Sequence, residues 1–195
     1  MAEPLREPRD EVVSSEDDAL ILVDEDDREI GSLSKAACHD GDGVLHRAFS
    51  IFVFNRRGEL LLQKRGADKR LWPDFWSNSC CSHPRAGESM EEAIHRRLYQ
   101  ELGMRSRMRY LFKFQYHAPF GEAGSERELC WVFAGVSDDD VRPNVREIAD
   151  WRWISADGLD REMREQGGAF TPWFQLEWPR VRQLRNAVLH GKGGV

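Results

Sequence analysis

Apolar residues recur at regular intervals along most of the chain, and these intervals predict its secondary structure. Between Ser89 and Gly103 they recur every three to four residues, the spacing of a helix that buries one face. Ser89 and Glu92, three positions apart, have the residue types of a capping box. Gly103 is the residue type favoured just beyond a helix end. The pattern therefore predicts an amphipathic helix between Ser89 and Gly103.

Shorter apolar or alternating runs predict β-strands on both sides of this helix. Before the helix, the predicted strands cover 19–23, 29–33, 48–54 and 59–64, and the turn 55–58 joins the last two. After the helix, strands are predicted over 109–118, 129–134 and 148–154. Two more helices are predicted, one over 157–166 and one within 170–189.

The strand predicted over 109–118 carries an aromatic residue at every second position, so these side chains are expected to share one face: Tyr110, Phe112, Phe114 and Tyr116. Strands and helices are interleaved along the whole chain, without an internal repeat or a linker. This order is typical of an α/β sandwich around a mixed sheet. We expect a single domain over 19–190, with a flexible charged tail over 1–18 and a flexible tail over 191–195.

The composition is that of an ordinary globular protein, with 41% apolar and 32% charged residues. The formal net charge of −6 argues against a nucleic-acid partner, which would favour a basic surface. No apolar run reaches the roughly 18 residues that span a bilayer, and the N-terminus lacks the layout of a signal peptide. Four cysteines, two of them adjacent, do not form a disulfide framework. We therefore expect a cytoplasmic protein without a membrane partner.

Three histidines and two glutamates are candidate ligands of a divalent cation. Imidazole nitrogens and carboxylate oxygens suit zinc or manganese. The two glutamates are two positions apart, so they share a strand face and can converge on one ion. The candidates are His39, His46, His83, Glu126 and Glu128. From spacing alone, five unrelated surface residues are an equally good interpretation, because the chain has no dense metal-binding motif.

Cys81 is a candidate for chemistry because it stands two residues before His83, and both side chains point the same way in an extended segment. A lone cysteine is most often a buried structural thiol. Polar neighbours at Asn78 and Ser79 favour instead an accessible thiol that titrates. The residues leave both interpretations open for Cys81, whereas its neighbour Cys80 is expected to pack in the core.

Several cationic and aromatic residues stand near these segments. Lys35, Arg65 and Lys69 are either solvated surface charges or ligands of an anion such as a diphosphate. Arg97 and Glu101 lie four positions apart on the border of the apolar face of the predicted helix 89–103. Aromatic residues such as Tyr116 and Trp173 are most often core residues, although a π-face also stabilises a developing cation.

Separate motifs that occur in one order resemble the type I isopentenyl-diphosphate delta-isomerases, which belong to the Nudix superfamily by fold. The motifs are GSLSKAACH, LHRAFS, NSCCSHP, GESMEEAIHRRLYQELG, the ERE pair and FTPWF. The resemblance runs from about residue 21 to 185 and implies a Nudix-like α/β/α sandwich around a mixed β-sheet, with the Nudix core at about 44–178. It also implies an isomerase of isoprenoid biosynthesis, which interconverts isopentenyl diphosphate and dimethylallyl diphosphate by protonation and deprotonation.

The resemblance further implies a role for each matching residue. The catalytic residues of the family match Cys81, Glu128, Tyr116 and Trp173. One metal ion, Mn²⁺, Mg²⁺ or Zn²⁺, would be held by His39, His46, His83, Glu126 and Glu128. A Mg²⁺ bound to the substrate diphosphate would be held by Glu101 and the backbone carbonyl of Cys81. The residues that contact the diphosphate match Lys35, Arg65, Lys69 and Arg97.

We expect Glu128 to deliver a proton to C4 of the substrate and Cys81, as a thiolate, to remove one from C2. The order of the two proton transfers stays open at this point. The expected partner is a small-molecule diphosphate, and the expected assembly is a monomer or a weak dimer.

Two other functions compete with isomerisation. A Nudix pyrophosphohydrolase would cleave a nucleoside diphosphate. The hydrolase sequence motif calls for several carboxylates, however, and Arg97 and Gln100 replace two of them, which leaves Glu101. A non-enzymatic binding module, in which the Cys, His and Glu residues only hold a structural metal, would unfold when the metal is removed and would turn over no diphosphate.

Overall fold

The computed structural model describes residues 9–191, so the predicted tail segments 1–8 and 192–195 lie outside the described residues. The strands are β1 (Ala19–Val23), β2 (Glu29–Ser34), β3 (His46–Phe54), β4 (Leu60–Arg65), β5 (Trp76–Ser77), β6 (Cys80–Ser82), β7 (Met108–Pro119), β8 (Ser125–Val136) and β9 (Ile148–Ile154). The helices are α1 (Lys35–His39), α2 (Met90–Leu102), α3 (Ala156–Gln166) and α4 (Pro172–Leu189).

The described strands form one mixed sheet built around β3 and β8. These two strands pair in parallel, from His46 beside Glu128 to Phe54 beside Val136. The other strand pairs are antiparallel, and β6 joins β3 with Ser50 beside Cys81. Since paired residues of neighbouring strands point to the same side of a sheet, this register brings side chains from distant parts of the chain together.

Helices cover both faces of the sheet, which confirms the predicted α/β/α sandwich. Helix α2 packs on one face with Ala93, Ile94, Leu98 and Leu102. The apolar side chains of α3 and α4 pack on the other face. The predicted ends of α2 are also found: Ser89 and Glu92 form a capping box, and Gly103 has φ 67°. None of the described helices is long and apolar enough to cross a membrane.

Strand β7 departs from the predicted aromatic alternation. A β-bulge between Tyr110 and Phe112 adds one residue to β7 relative to β8. The extra residue turns Tyr110 to the opposite face, where its ring lies 5.3 Å from that of Trp131 and remains 47% exposed. The prediction that four aromatic residues share one face is therefore wrong for Tyr110.

Residues 9–18 contact the domain, although the sequence predicts a flexible tail up to residue 18. Val13 is buried, and its carbonyl accepts a hydrogen bond of 2.7 Å from Nη1 of Arg97. Arg9 forms a β-bridge with Asn144. The packed part of the chain thus begins before residue 19, because contacts with distant residues compensate for a polar local sequence. The outer limits of both tails stay a prediction.

Candidate active site

Most of the predicted site residues line one cavity of about 270 Å³. They come from α1, β4, β6, α2, β7, β8, α4 and the loops between them. The lining includes Lys35, His39, Arg65, Lys69, Cys81, His83, Arg97, Tyr116, Glu126, Glu128 and Trp173. The two remaining predicted residues, His46 and Glu101, are buried beside this cavity. Residues far apart in sequence are therefore brought together at a single site.

The five candidate metal ligands form a compact group, the histidine cluster: His39, His46, His83, Glu126 and Glu128. Each offers one ligand atom, and these atoms lie within 4.8 Å of one another. Nε2 of both His39 and His46 is buried and has no hydrogen-bond partner within residues 9–191, and the same holds for Oε2 of Glu126. His39 Nε2 and Glu126 Oε2 lie 2.9 Å apart, but not with the angles of a hydrogen bond. Unpaired buried ligand atoms of these types fit a divalent cation.

His83 has the protonation state that a metal ligand needs. Burial lowers its pKa well below the usual value, and the neighbouring His46 and His39 lower it further. The imidazole is therefore neutral at neutral pH, with a nitrogen lone pair available for coordination. Its Nε2 lies 2.9 Å from Oε1 of Glu128.

Glu128 joins the histidine cluster to a tyrosine. The hydroxyl of Tyr116 donates a 2.7 Å hydrogen bond to its Oε2. Burial by itself raises the pKa of Glu128, but His46, the Tyr116 hydroxyl and His39 outweigh burial and lower this pKa. These neighbours thus favour the carboxylate form of Glu128 at neutral pH.

The surroundings of Cys81 favour the protonated form of its thiol. Burial raises the pKa of this thiol to about 12, which Arg65 opposes and nearby carboxylates reinforce. Nη1 of Arg65 lies 3.6 Å from Sγ, and the Arg65 guanidinium lies 5.2 Å from the ring centre of Trp173. Of the two interpretations, an accessible thiol agrees with the position of Cys81 at the cavity, whereas its raised pKa disfavours easy titration.

The cations expected to bind a diphosphate already have partners. Lys69 contacts Glu147, and Nη2 of Arg97 lies 2.5 Å from Oε1 of Glu101 and 3.2 Å from Oε2 of Glu147. We call Lys69, Arg97, Glu101 and Glu147 the ion-pair network. Burial raises the pKa of Glu147, but Lys69 and Arg97 outweigh it and lower the pKa to about 2. Nζ of Lys35 lies 2.9 Å from Oε1 of Glu16.

Sequence reasoning missed Glu147, which lines the cavity together with the predicted residues. It stands just before β9 in an irregular segment, and nothing in the surrounding sequence distinguishes it from the neighbouring charged residues. Its importance follows from burial and from its two cationic partners, which are set by the tertiary fold.

Known proteins match this chain over most of its length. The sequence family of the NUDIX domain matches residues 44–174 of this chain. An isopentenyl-diphosphate Delta-isomerase of Burkholderia multivorans is 43% identical over 174 residues, which is 89% of this chain and 97% of that protein. Isopentenyl-diphosphate Delta-isomerase 1 of Photorhabdus laumondii is 37% identical over 166 residues, or 84% of this chain and 94% of that protein.

Among solved structures, a protein of Deinococcus radiodurans superposes with a TM-score of 0.68 at 23% identity, covering 83% of this chain and 98% of that chain. A MutT protein of Methanosarcina mazei superposes with a TM-score of 0.56 at 18% identity, covering 76% of this chain and 96% of that chain. At these identities the likeness establishes the fold alone. Together with the matches along the sequence, it shows that the chain belongs to the isopentenyl-diphosphate Delta-isomerase family of NUDIX-domain proteins.

Proposed function

We propose that this chain interconverts isopentenyl diphosphate and dimethylallyl diphosphate, the five-carbon units of isoprenoid biosynthesis. The observation that carries the proposal is that Cys81 and the Tyr116-bonded Glu128 line one cavity together with Trp173. Two proton carriers and an aromatic face are what this double-bond shift requires. The names of relatives up to 43% identical over most of the chain support the same reaction.

The reaction adds a proton at C4 and removes one from C2. An unactivated alkene is a weak base, so its protonation needs a well-placed acid and produces a tertiary carbocation. In our proposal Glu128 delivers the first proton and Cys81 removes the second. The indole of Trp173 lowers the energy of the cation through its π-face and helps to exclude water.

The protonation states bear on the order of these steps. Burial favours the protonated Cys81 thiol, whereas His46, the Tyr116 hydroxyl and His39 favour the ionised form of Glu128. The order with Glu128 as first donor requires a protonated Glu128 and a Cys81 thiolate, which is the reverse of these favoured forms. The opposite order, with Cys81 as first donor, starts directly from the states found. Both orders use the same pair, and the reversible reaction passes through both roles.

The diphosphate is held by cations in the same cavity. We assign this role to Lys35, Arg65, Lys69 and Arg97, with Glu101 and the backbone carbonyl of Cys81 as ligands of a Mg²⁺. That ion would neutralise the negative charge of the diphosphate. The histidine cluster would hold Mn²⁺, Mg²⁺ or Zn²⁺. Localisation in the cytoplasm and a monomeric or weakly dimeric state stay predictions.

The deciding experiment follows isopentenyl diphosphate by proton NMR with purified protein and Mg²⁺. Wild-type protein should form dimethylallyl diphosphate, and Cys81→Ala should lower the rate by about 10³-fold because it removes a proton carrier. Cys80→Ala is the matched control: its side chain belongs to the apolar core on the other face of the sheet, and this variant should keep most of the activity. If Cys81→Ala keeps more than a tenth of the wild-type rate, Cys81 is not one of the proton carriers.

A further inference from the structure

Glu177 is a fully buried carboxyl group that the reaction described above does not use. It lies in α4, one helical turn after Trp173, on the side of the helix that faces the sheet. Its Oε1 lies 3.6 Å from Sγ of Cys130, which in turn lies 3.5 Å from Oγ of Ser50. Its Oε2 has no hydrogen-bond partner among the described residues.

Burying this group is costly in free energy. Among residues 9–191, no Lys, Arg or His forms an ion pair with Glu177, whereas a buried carboxylate normally requires one. Burial raises its pKa to about 8, Ser50 and Cys130 oppose the rise, and Glu128 adds to it. Glu177 is therefore a neutral acid at neutral pH. An apolar side chain would fill the space at lower cost, so stability alone does not account for it.

The contacts of Glu177 lie next to both proton carriers. Ser50 in β3 is the strand-pair partner of Cys81 in β6. Cys130 in β8 stands two residues after Glu128 and therefore points to the same face of the sheet. A buried polar cluster thus lies between the strand that carries Cys81 and the strand that carries Glu128. Its members are Ser50, Cys130 and Glu177.

We propose that Glu177 is a positioning residue of the isomerisation, which holds Cys130, and through it Ser50, in place beneath Cys81 and Glu128. The inference rests on the proposed function. A fixed separation of acid and base matters because small displacements of reacting groups lower the rate of proton transfer. The same contact ties α4, and with it Trp173, to the sheet.

Ionisation of Glu177 would disturb this arrangement. The titratable groups that face it are Cys130 and Glu128 from β8 and Cys81 from β6, and none of them is cationic. An anion at Glu177 would therefore repel the Glu128 carboxylate and oppose formation of a Cys81 thiolate. Activity should decline as Glu177 loses its proton.

The test compares Glu177→Gln and Glu177→Leu with wild-type protein, by measuring kcat and KM between pH 6 and pH 9.5. Gln keeps the shape and the hydrogen bonding of the neutral acid, so this variant should keep most of kcat at pH 7. In wild-type protein, ionisation of Glu177 should lower the activity above about pH 8. The Gln variant should not show this part of the decrease. Leu removes the hydrogen bond with Cys130, and it should lower kcat about tenfold with little change in KM. Glu165→Leu, at an exposed position of α3, is the control for the substitution itself.

Three outcomes overturn the inference: equal pH profiles for Glu177→Gln and wild type, an unchanged kcat in Glu177→Leu, or a rise in KM alone. If Glu177→Leu fails to fold, as judged by circular dichroism, the pH profile of Glu177→Gln decides. A wild-type protein without isomerase activity would overturn the proposed function. Active wild type with indifferent Glu177 variants would overturn only the role of Glu177.

Discussion

The histidine cluster and the ion-pair network lie at the same cavity, but they accommodate buried polar groups in opposite ways. In the part of the chain that the structure describes, ligand atoms of His39, His46 and Glu126 in the histidine cluster have no hydrogen-bond partners. In the ion-pair network, by contrast, each of Glu101 and Glu147 contacts a cation. The first region is therefore incomplete without a bound ion. In the second region, Lys69 and Arg97 already compensate the charges of the two carboxylates.

This difference has a consequence for substrate binding. A cation entering the histidine cluster gains ligands that have little else to bind, so its binding should stabilise the fold. A diphosphate has to compete for Lys69 and Arg97 with the carboxylates that already hold them. A Mg²⁺ at Glu101 would reduce that competition, because it draws this carboxylate away from Arg97. Removing one member from each region tests the contrast directly.

The largest effect is expected from His83→Ala. Loss of one ligand should lower the metal affinity of the histidine cluster by at least about 100-fold, and the isomerase rate with it. Metal content by elemental analysis and the NMR rate check this. His95→Ala, at an exposed position of α2, is the control and should change neither. A full metal content in His83→Ala would remove His83 from the ligand set.

The next largest effect is expected from Glu147→Gln, measured as the free energy of unfolding in urea. The pKa of Glu147 is lowered to about 2, so the carboxylate stabilises the fold above its unfolded pKa near 4.5. The substitution should cost about 3 kcal/mol at pH 7, because Lys69 and Arg97 lose a buried counterion. The difference from wild type should shrink as the pH falls from about 4.5 towards 2, where Glu147 becomes protonated.

Glu162→Gln is the matched control for this substitution. Glu162 pairs with Arg152 at a partly exposed site, with an Nη2 to Oε2 distance of 2.5 Å. An ion pair of this kind contributes at most about 1 kcal/mol. If both variants lose the same stability, the buried network has no special role in the fold.

A smaller effect is expected from Glu101→Gln. This change removes the charge that would hold Mg²⁺ on the diphosphate, so the Mg²⁺ concentration for half-maximal activity should rise about tenfold. Metal bound at the histidine cluster should stay constant by elemental analysis. An unchanged Mg²⁺ requirement would contradict the assignment of Glu101 and leave it as a partner of Arg97 alone.

Secondary structure could be predicted from the sequence wherever the local residue preferences agree with the tertiary packing. Helix α2 has its apolar spacing and both its end signals in the sequence, and it forms between the predicted residues. The bulge at Tyr110 could not be predicted, because an alternating run carries no sign of an extra residue in one strand. The short elements α1, β5 and β6 were also missed, since two to five residues give no periodic pattern.

The site was predicted unevenly for a similar reason. Residues in recognisable motifs, such as Cys81 and His83, were found, whereas Glu147 was not. For Glu177 a signal did exist. It lies on the apolar stripe of the last helix with Trp173 and Val181, where a carboxyl group is out of place. A charged residue on a buried face is a candidate for function and is visible in the sequence alone.

The protein should lack pyrophosphohydrolase activity. With nucleoside diphosphates or isopentenyl diphosphate, the protein should release no phosphate at a rate comparable to isomerisation. NUDIX-domain hydrolases generally rely on several carboxylates of one helix to gather divalent ions and activate a water molecule. In this chain the corresponding positions hold Arg97 and Gln100, and Glu101 remains.

The structure adds a physical reason to this sequence argument. Arg97 is buried against Glu101 and Glu147, so the helix presents a paired cation where the hydrolase motif has a carboxylate. The side-chain oxygen of Gln100 lies 3.2 Å from Nη1 of Arg96 and supplies no charge. One carboxylate can anchor a Mg²⁺ on a diphosphate, but it does not assemble a centre of several metals. A colorimetric phosphate assay beside the NMR assay decides the point, and comparable rates in both would show that the site cuts the diphosphate as well as holding it.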